Sequence, residues 1–242
     1  MIHDSSPLHL SRRTGFSLVE LLVVIAVLAV LSGIVVVAVN GGVREANLVK
    51  SLGNLRAIGV GVGNYVADNG GRYPLLTDDW GAPYWTQSVS PYLADYTRGD
   101  WRDLRGNEYS IAPVYVSPLI ENGRHHRLGD YGGSNKVFPM GLSQQSIDSG
   151  AIQKLVRVTD IVEPNRTVMV CSAQIDSSAY GVIPSWYIAA TQYVQSPGDT
   201  SYAGPSDWGT GRVQALFCDG HTEAIPVELF EERREDYLYP DP

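Results

Sequence analysis

Residues 16–39 read FSLVELLVVIAVLAVLSGIVVVAV, an unbroken apolar run of 24 residues with one ionisable side chain, Glu20. As a helix rising about 1.5 Å per residue, the run reaches roughly 36 Å, enough to cross a hydrocarbon core of about 30 Å. A cleaved secretory signal has an apolar region of only about 7–15 residues and ends in a small-residue cleavage site, so this run reads as a retained anchor. The chain beyond it is polar and turn-rich with no second run of this kind, which predicts one membrane-spanning segment, 16–39, and a soluble body. Arg12 and Arg13 lie closer to the run than Arg44 and Lys50 do, and a long body translocates largely regardless of charge, so the N terminus is expected in the cytoplasm and the body outside.

Working outward, Leu48, Leu52, Leu55, Ile58, Val62 and Tyr65 recur at helical spacing and predict that 40–67 continues the same helix with one apolar face. Asn40, Gly41 and Gly42 weaken the junction between the halves. Gly59, Gly61 and Gly63 either destabilise the helix or mark close packing against a sheet. Asp68, Asn69, Gly70, Gly71 and Pro74 supply the stop. Beyond it, strands are expected at 110–116, 155–158, 166–172, 187–192 and 212–218, the last continued by 222–226 after an Asp219-Gly220 turn, with 195–211 as loop. The fold class is therefore α+β: a long N-terminal helix packed on an antiparallel sheet with long loops, 68–242 forming a globular β-rich head.

Composition narrows the function. With 242 residues, 44% hydrophobic and 18% charged, the chain has the make-up of a packed globular protein. Eighteen basic against 26 acidic side chains, net charge -8, leave no basic stripe for nucleic acid. Cys171 and Cys218 are too few for a disulfide framework or a four-thiolate zinc site; they form one bridge or remain two separate buried thiols.

Glu20 is the anomaly. A lone carboxylate in hydrocarbon costs at least about 2.5 kcal/mol on insertion scales, so it either reaches the headgroups or has a charged partner. The residues around it, Arg12-Arg13-Thr14-Gly15-Phe16-Ser17-Leu18-Val19-Glu20-Leu21, resemble the signal of type IV prepilins and type II secretion pseudopilins. That resemblance implies a leader peptide 1–15, cleavage after Gly15 by a membrane aspartyl prepilin peptidase, and N-methylation of Phe16 as the mature N terminus. It also implies assembly through Glu20 with other pilin-like subunits, on an inner-membrane platform driven by an ATPase, with the head periplasmic. Packing of parallel helices then brings a neighbour's amine to the Glu20 carboxylate, and their attraction at low dielectric offsets part of the desolvation. Residues 54–59, 65–74, 130–135, 164–168 and 216–221 extend the resemblance to the pseudopilin-like proteins of planctomycete and verrucomicrobial bacteria. Three departures stand out: Gly209 where that family has His, and Ser51 and Ser117 where its members often carry Cys.

Candidate catalytic or metal residues are few. His125, His126, His221, Asp199, Asp207 and Asp219 show no ligand spacing, and no HExxH, GxSxG or P-loop pattern occurs. Resemblance to major type II pseudopilins implies calcium in the C-terminal loop, with Asp199, Asp207 and Asp219 as its carboxylates. No other cofactor is expected. Trp80, Trp85 and Trp101 either pack over the sheet or bind carbohydrate. The leading reading is a noncatalytic filament subunit; the alternative is a membrane-anchored periplasmic enzyme or ligand-binding protein that uses a prepilin-type leader.

Overall fold

The computed structural model describes residues 16–76, 83–93, 99–102, 108–121, 123–142, 148–150, 154–177, 180–195 and 202–238. Helix α1, Leu18–Asp68, runs without interruption through Asn40, Gly41 and Gly42, so one element carries both the apolar run and the amphipathic continuation. The chain divides into two compact units, Met1–Val43 and Arg44–Pro242. Among the described residues no helix is long and apolar enough to cross a membrane, the side chains of 34–38 and 40 lying outside them. The stop is the expected one: Gly71, at φ +77°, donates its N–H to the Val66 carbonyl at 2.9 Å, and the Asn69 side chain caps the Tyr65 carbonyl at 2.8 Å.

The head is built on a seven-stranded sheet. Its strands are β3 (Tyr131–Ser134), β4 (Val168–Ser177), β5 (Gly181–Pro184), β6 (Tyr187–Ile188), β7 (Gly204–Pro205), β8 (Arg212–Phe217) and β9 (Thr222–Pro226). The order is β6-β3-β4-β8-β9, with β5 and β7 pairing along β4; among the described strands only β3 and β6 run parallel. A separate hairpin joins β1 (Gly99–Arg102) to β2 (Glu108–Ile111). Two-residue alternation along β8 sends Leu216 to one core, with Leu55, Ile58, Val62 and Val66 of α1, and sends Val213, Ala215 and Phe217 to the other. A bulge between Val168 and Val170 resets β4, so that Met169 and Val170 both face α1 while Val168 and Cys171 face away. The second core is closed by α3 (Ala190–Gln195), α4 (Val227–Glu232) and α5 (Arg234–Leu238), which bury Ala190, Phe230 and Leu238.

Several strand expectations change. Only 108–111 of the region around 110–116 is extended; Pro113 then opens a 3-10 turn over Pro113–Tyr115. Residues 155–158 make a single bridge, Arg72 with Arg157, rather than a strand. The 187–192 strand stops at Ile188 because Asn135 caps the next helix, its side-chain oxygen accepting the Ala190 N–H at 2.9 Å. Strand β3, which its glycines disguise, needs them: a Cβ on Gly132 would fall 2.6 Å from Ala173 Cβ, and one on Gly133 2.5 Å from the Phe138 ring. Trp85 is fully buried against Tyr115 and Phe138 and donates its indole N–H to the Trp186 carbonyl at 2.7 Å, while Trp80 and the Trp101 side chain lie outside the described residues.

The helix glycines divide by environment. A Cβ on Gly59 would touch Leu216 of β8 at 3.0 Å, and one on Gly61 would fall 2.7 Å from Leu93 and 3.0 Å from Val89, of α2 (Trp85–Val89); Gly63 has nothing within 4 Å. Opposite signs follow. Gly61→Val is expected to destabilise by about 1–3 kcal/mol through overpacking, and Gly63→Ala to stabilise by about 0.5–1 kcal/mol through helix propensity. Urea unfolding of each variant checks both, and equal effects would contradict this division.

Candidate assembly site

The described large apolar side chains from Phe16 to Leu31 are all exposed, from 48% at Val24 to 86% at Phe16. Successive residues turn by about 100°, so Leu21 to Ile25 alone put apolar surface on every side of the helix. A helix apolar all round must be covered by lipid or by other helices. At its start Ser17 is the N-cap: its hydroxyl accepts the Val19 N–H at 3.3 Å, while Glu20 Oε2 accepts the Ser17 N–H at 2.9 Å. This reciprocal arrangement resembles a capping box, with the Ser17 hydroxyl on the N2 rather than the N3 amide, and the Ser17-x-x-Glu20 spacing is the sequence signal for it. Glu20 thus has a local role in addition to any role between subunits; a carboxylate offers about four acceptor positions, so the cap leaves capacity for a second donor. Gly15 lies outside the described residues.

Within the head, α1 is fixed by a polar cluster. Tyr131 at the start of β3 is fully buried and shares a hydrogen bond with Ser51 at 2.9 Å; Asn54 and Ser117 also reach its hydroxyl. The two serines that replace cysteines therefore meet at one phenol. Burial pushes Tyr131 up to about 12 even though these hydrogen bonds pull it down. Beside it, fully buried Asp130 accepts the Ser117 N–H at 2.8 Å, the His126 N–H at 2.9 Å and His125 Nδ1 at 2.6 Å. Sequence reading considered His125 and His126 for catalysis, but the buried partner of His125 ties down the loop 117–130.

Cys171 and Cys218 are free thiols. Register explains why: Cys171 pairs with Ala215, whereas Cys218 donates its N–H to Thr167, four residues before Cys171. At about 3.3 Å per residue the separation along the strand is roughly 13 Å, and a bridge needs Cα atoms within about 7 Å. The two thiols also belong to opposite faces of the sheet. Of the two alternatives, separate thiols are what the structure holds. Cys218 opens on a cleft of about 190 Å³ walled by Gly59, Val62, Val66 and Tyr73, where burial pushes its thiol up to about 12 against the pull of a hydrogen bond with Tyr73 and so favours the protonated form.

Two of the three expected calcium carboxylates, Asp207 and Asp219, fall among the described residues. Asp199 lies outside the described residues, Asp207 is taken up by its own turn, and Asp219 accepts both the backbone N–H of His221, at 3.0 Å, and its Nδ1, at 2.6 Å. Partial burial raises the Asp219 carboxyl, and the His221 contacts outweigh it, leaving the group below the ordinary carboxylate value. Among the described residues no group of three His, Cys, Asp or Glu side chains could hold a metal ion.

Alkaline sensitivity follows from the buried groups. Tyr131 and Cys218 are both raised to about 12, from 10.0 and 9.0, with burial as the largest cause in each. A raised value means that the folded state holds the proton more tightly, so this stabilisation is complete below about pH 9 and is lost progressively as pH rises towards about 12. Denaturant midpoints are expected to fall steadily across that window; a flat profile would contradict it.

An uninterrupted N-terminal helix with an exposed apolar half, a capped carboxylate at its head and its second half buried on an antiparallel sheet defines a pilin-like α+β subunit. Residues 10–36 match the prokaryotic N-terminal methylation motif family. The chain is 30% identical over 146 residues to the type II secretion system core protein G of Klebsiella pneumoniae, covering 58% of this chain and 95% of that protein. It is also 30% identical over 122 residues to the core protein G of Dickeya chrysanthemi, 48% of this chain and 74% of that one. No solved structure matches the chain. The chain belongs to the type II secretion core protein G family, and it is a pseudopilin subunit of the kind that prepilin peptidase processes.

Proposed function

We propose that the chain is cut between Gly15 and Phe16, methylated on the Phe16 amine, held in the inner membrane by 16–39 with its head in the periplasm, and assembled through that helix into a short filament of a type II secretion system. The supporting observation is the apolar surface exposed on every side of α1 from Leu18 to Leu31, beneath a single carboxylate. A monomer in a bilayer satisfies the apolar surface with lipid. In the filament a neighbouring subunit's Phe16 amine adds a positive partner at the depth of Glu20, beyond the Ser17 N–H that the carboxylate already accepts. The head then has no chemical step to perform, and its partners are other pilin-like subunits and the inner-membrane platform.

Glu20→Ala is the test. Cross-linking in native membranes should show filament oligomers falling by at least about tenfold, the effect of losing roughly 1.4 kcal/mol per contact, while the head stays folded and protease-resistant. Glu20→Gln keeps the cap but removes the charge. Oligomers at wild-type levels in Glu20→Gln would show that the cap, and not the ion pair, is what matters, and would overturn the assembly role given to the charge.

A further inference from the structure

The C-terminal loop from Asp199 to Asp219 is where the resemblance implies calcium, and the donor set of its described turn 206–212 does not fit that ion. Calcium needs six to eight oxygens. Both carboxylate oxygens of Asp207 are already bonded within the turn: Oδ1 accepts the Gly209 N–H at 3.0 Å and Oδ2 the Gly211 N–H at 2.9 Å. The Asp207 carbonyl accepts the Thr210 N–H at 2.9 Å and its hydroxyl at 2.7 Å. Trp208 and Gly209, at φ +46° and +71°, give the turn the curvature that points successive N–H groups at the carboxylate. A positive charge is also already in place. A Cβ built on Gly209 would fall 2.6 Å from Arg44 Nη2 and 3.9 Å from its Cζ, so the guanidinium lies against the turn at the position where the resemblance to the planctomycete and verrucomicrobial proteins implies His. The next residue of α1, Glu45, pairs with Arg212 at the exit of the same turn.

We propose that 206–212 is a calcium-independent clasp, in which backbone N–H groups occupy both oxygens of Asp207 and the Arg44 guanidinium covers the turn, locking the first head turn of α1 to the β8–β9 hairpin. Glycine at 209 suits the clasp, since a side chain there would push the Arg44 guanidinium aside and would sit at φ +71°. The proposal rests on the pseudopilin reading only for the expectation of calcium; its test reads the turn, whereas that reading falls on Glu20.

Hydrogen exchange and thermal unfolding of the full chain in detergent micelles, in calcium chloride above the ~10⁻⁴–10⁻³ M range of weak extracellular sites and again in EGTA, test it. The midpoint and the exchange of the Gly209 and Gly211 amides are expected to be the same in both. Asp207→Ala should speed exchange of those two amides about tenfold, the change expected when such a bond is lost. Arg44→Ala, on the surface and safe for folding, should speed exchange across 206–212, and Arg44→Lys should restore it only in part because it lacks the planar fork. Protection of the turn by calcium, or a midpoint raised by several degrees, would establish a metal site and overturn the proposal. So would unchanged exchange in Arg44→Ala.

Discussion

Replacing Gly15 with leucine is expected to leave the full-length precursor in the membrane, uncut and unmethylated, with processing reduced by about a hundredfold or more. Cleavage requires the peptidase to close on the carbonyl of residue 15, and glycine lets a catalytic group approach the backbone where any Cβ holds it off. A displacement of about 1 Å from the reactive geometry costs on the order of 10² in rate. With the cut proposed ahead of 16–39, insertion should not depend on it, and the variant should fractionate with membranes as the wild type does. Mass spectrometry of wild-type protein from native membranes should find a methylated Phe16 at the mature N terminus. An intact Met1, or a cut after Val39, would overturn the prepilin-type processing. A normally processed Gly15→Leu protein would show that the leader is read without its glycine.

Asp130→Ala is expected to cost the head about 4 kcal/mol, within the ~3–5 kcal/mol typical of breaking one side of a buried pair. Two backbone N–H groups, of Ser117 and His126, and the His125 ring lose their acceptor at a site closed to water. Each orphaned donor costs about 1–3 kcal/mol. Domains of this size have only about 5–15 kcal/mol in total, so the variant should lie close to unfolding at growth temperature. Asp130→Asn keeps one oxygen and should lose about half as much. Urea denaturation measures both, and a loss under about 1 kcal/mol in the alanine variant would mean that apolar packing alone holds loop 117–130.

The two effects have different origins. Gly15 acts through an encounter with an enzyme, before the head matters. Asp130 acts through a buried network that ties the loop to β3 and, through Tyr131 and Ser51, to α1. Loss of the first should leave the unfolding transition unchanged, and loss of the second should leave cleavage unchanged. This separation is a check on the division of the chain at Val43.

Sequence by itself determined what is local and periodic. The apolar run, the continued helix to Asp68, the glycine stop and the β8–β9 hairpin were legible because each is set by neighbours within a few residues: hydrophobic spacing, positive-φ glycines and an Asp-Gly turn. The methylation motif over 10–36 was legible as a linear pattern, which is what the roles proposed for Gly15, Phe16 and Glu20 rest on. Only the tertiary structure decided the rest. The bulge in β4 shifts side-chain parity by one residue, and with the β4–β8 register it places Cys171 and Cys218 on opposite faces, a fact invisible to a count of two cysteines. Gly132 and Gly133 look like a loop until Ala173 and Phe138 are seen pressing against them. The second apolar layer over the sheet is made of helices of six and five residues, too short for periodicity to register. Arg44 and Gly209 stand 165 positions apart in the sequence, and no pattern along the chain joins them. Long-range contacts follow from how the sheet closes over α1, and that closure is a property of the packed whole.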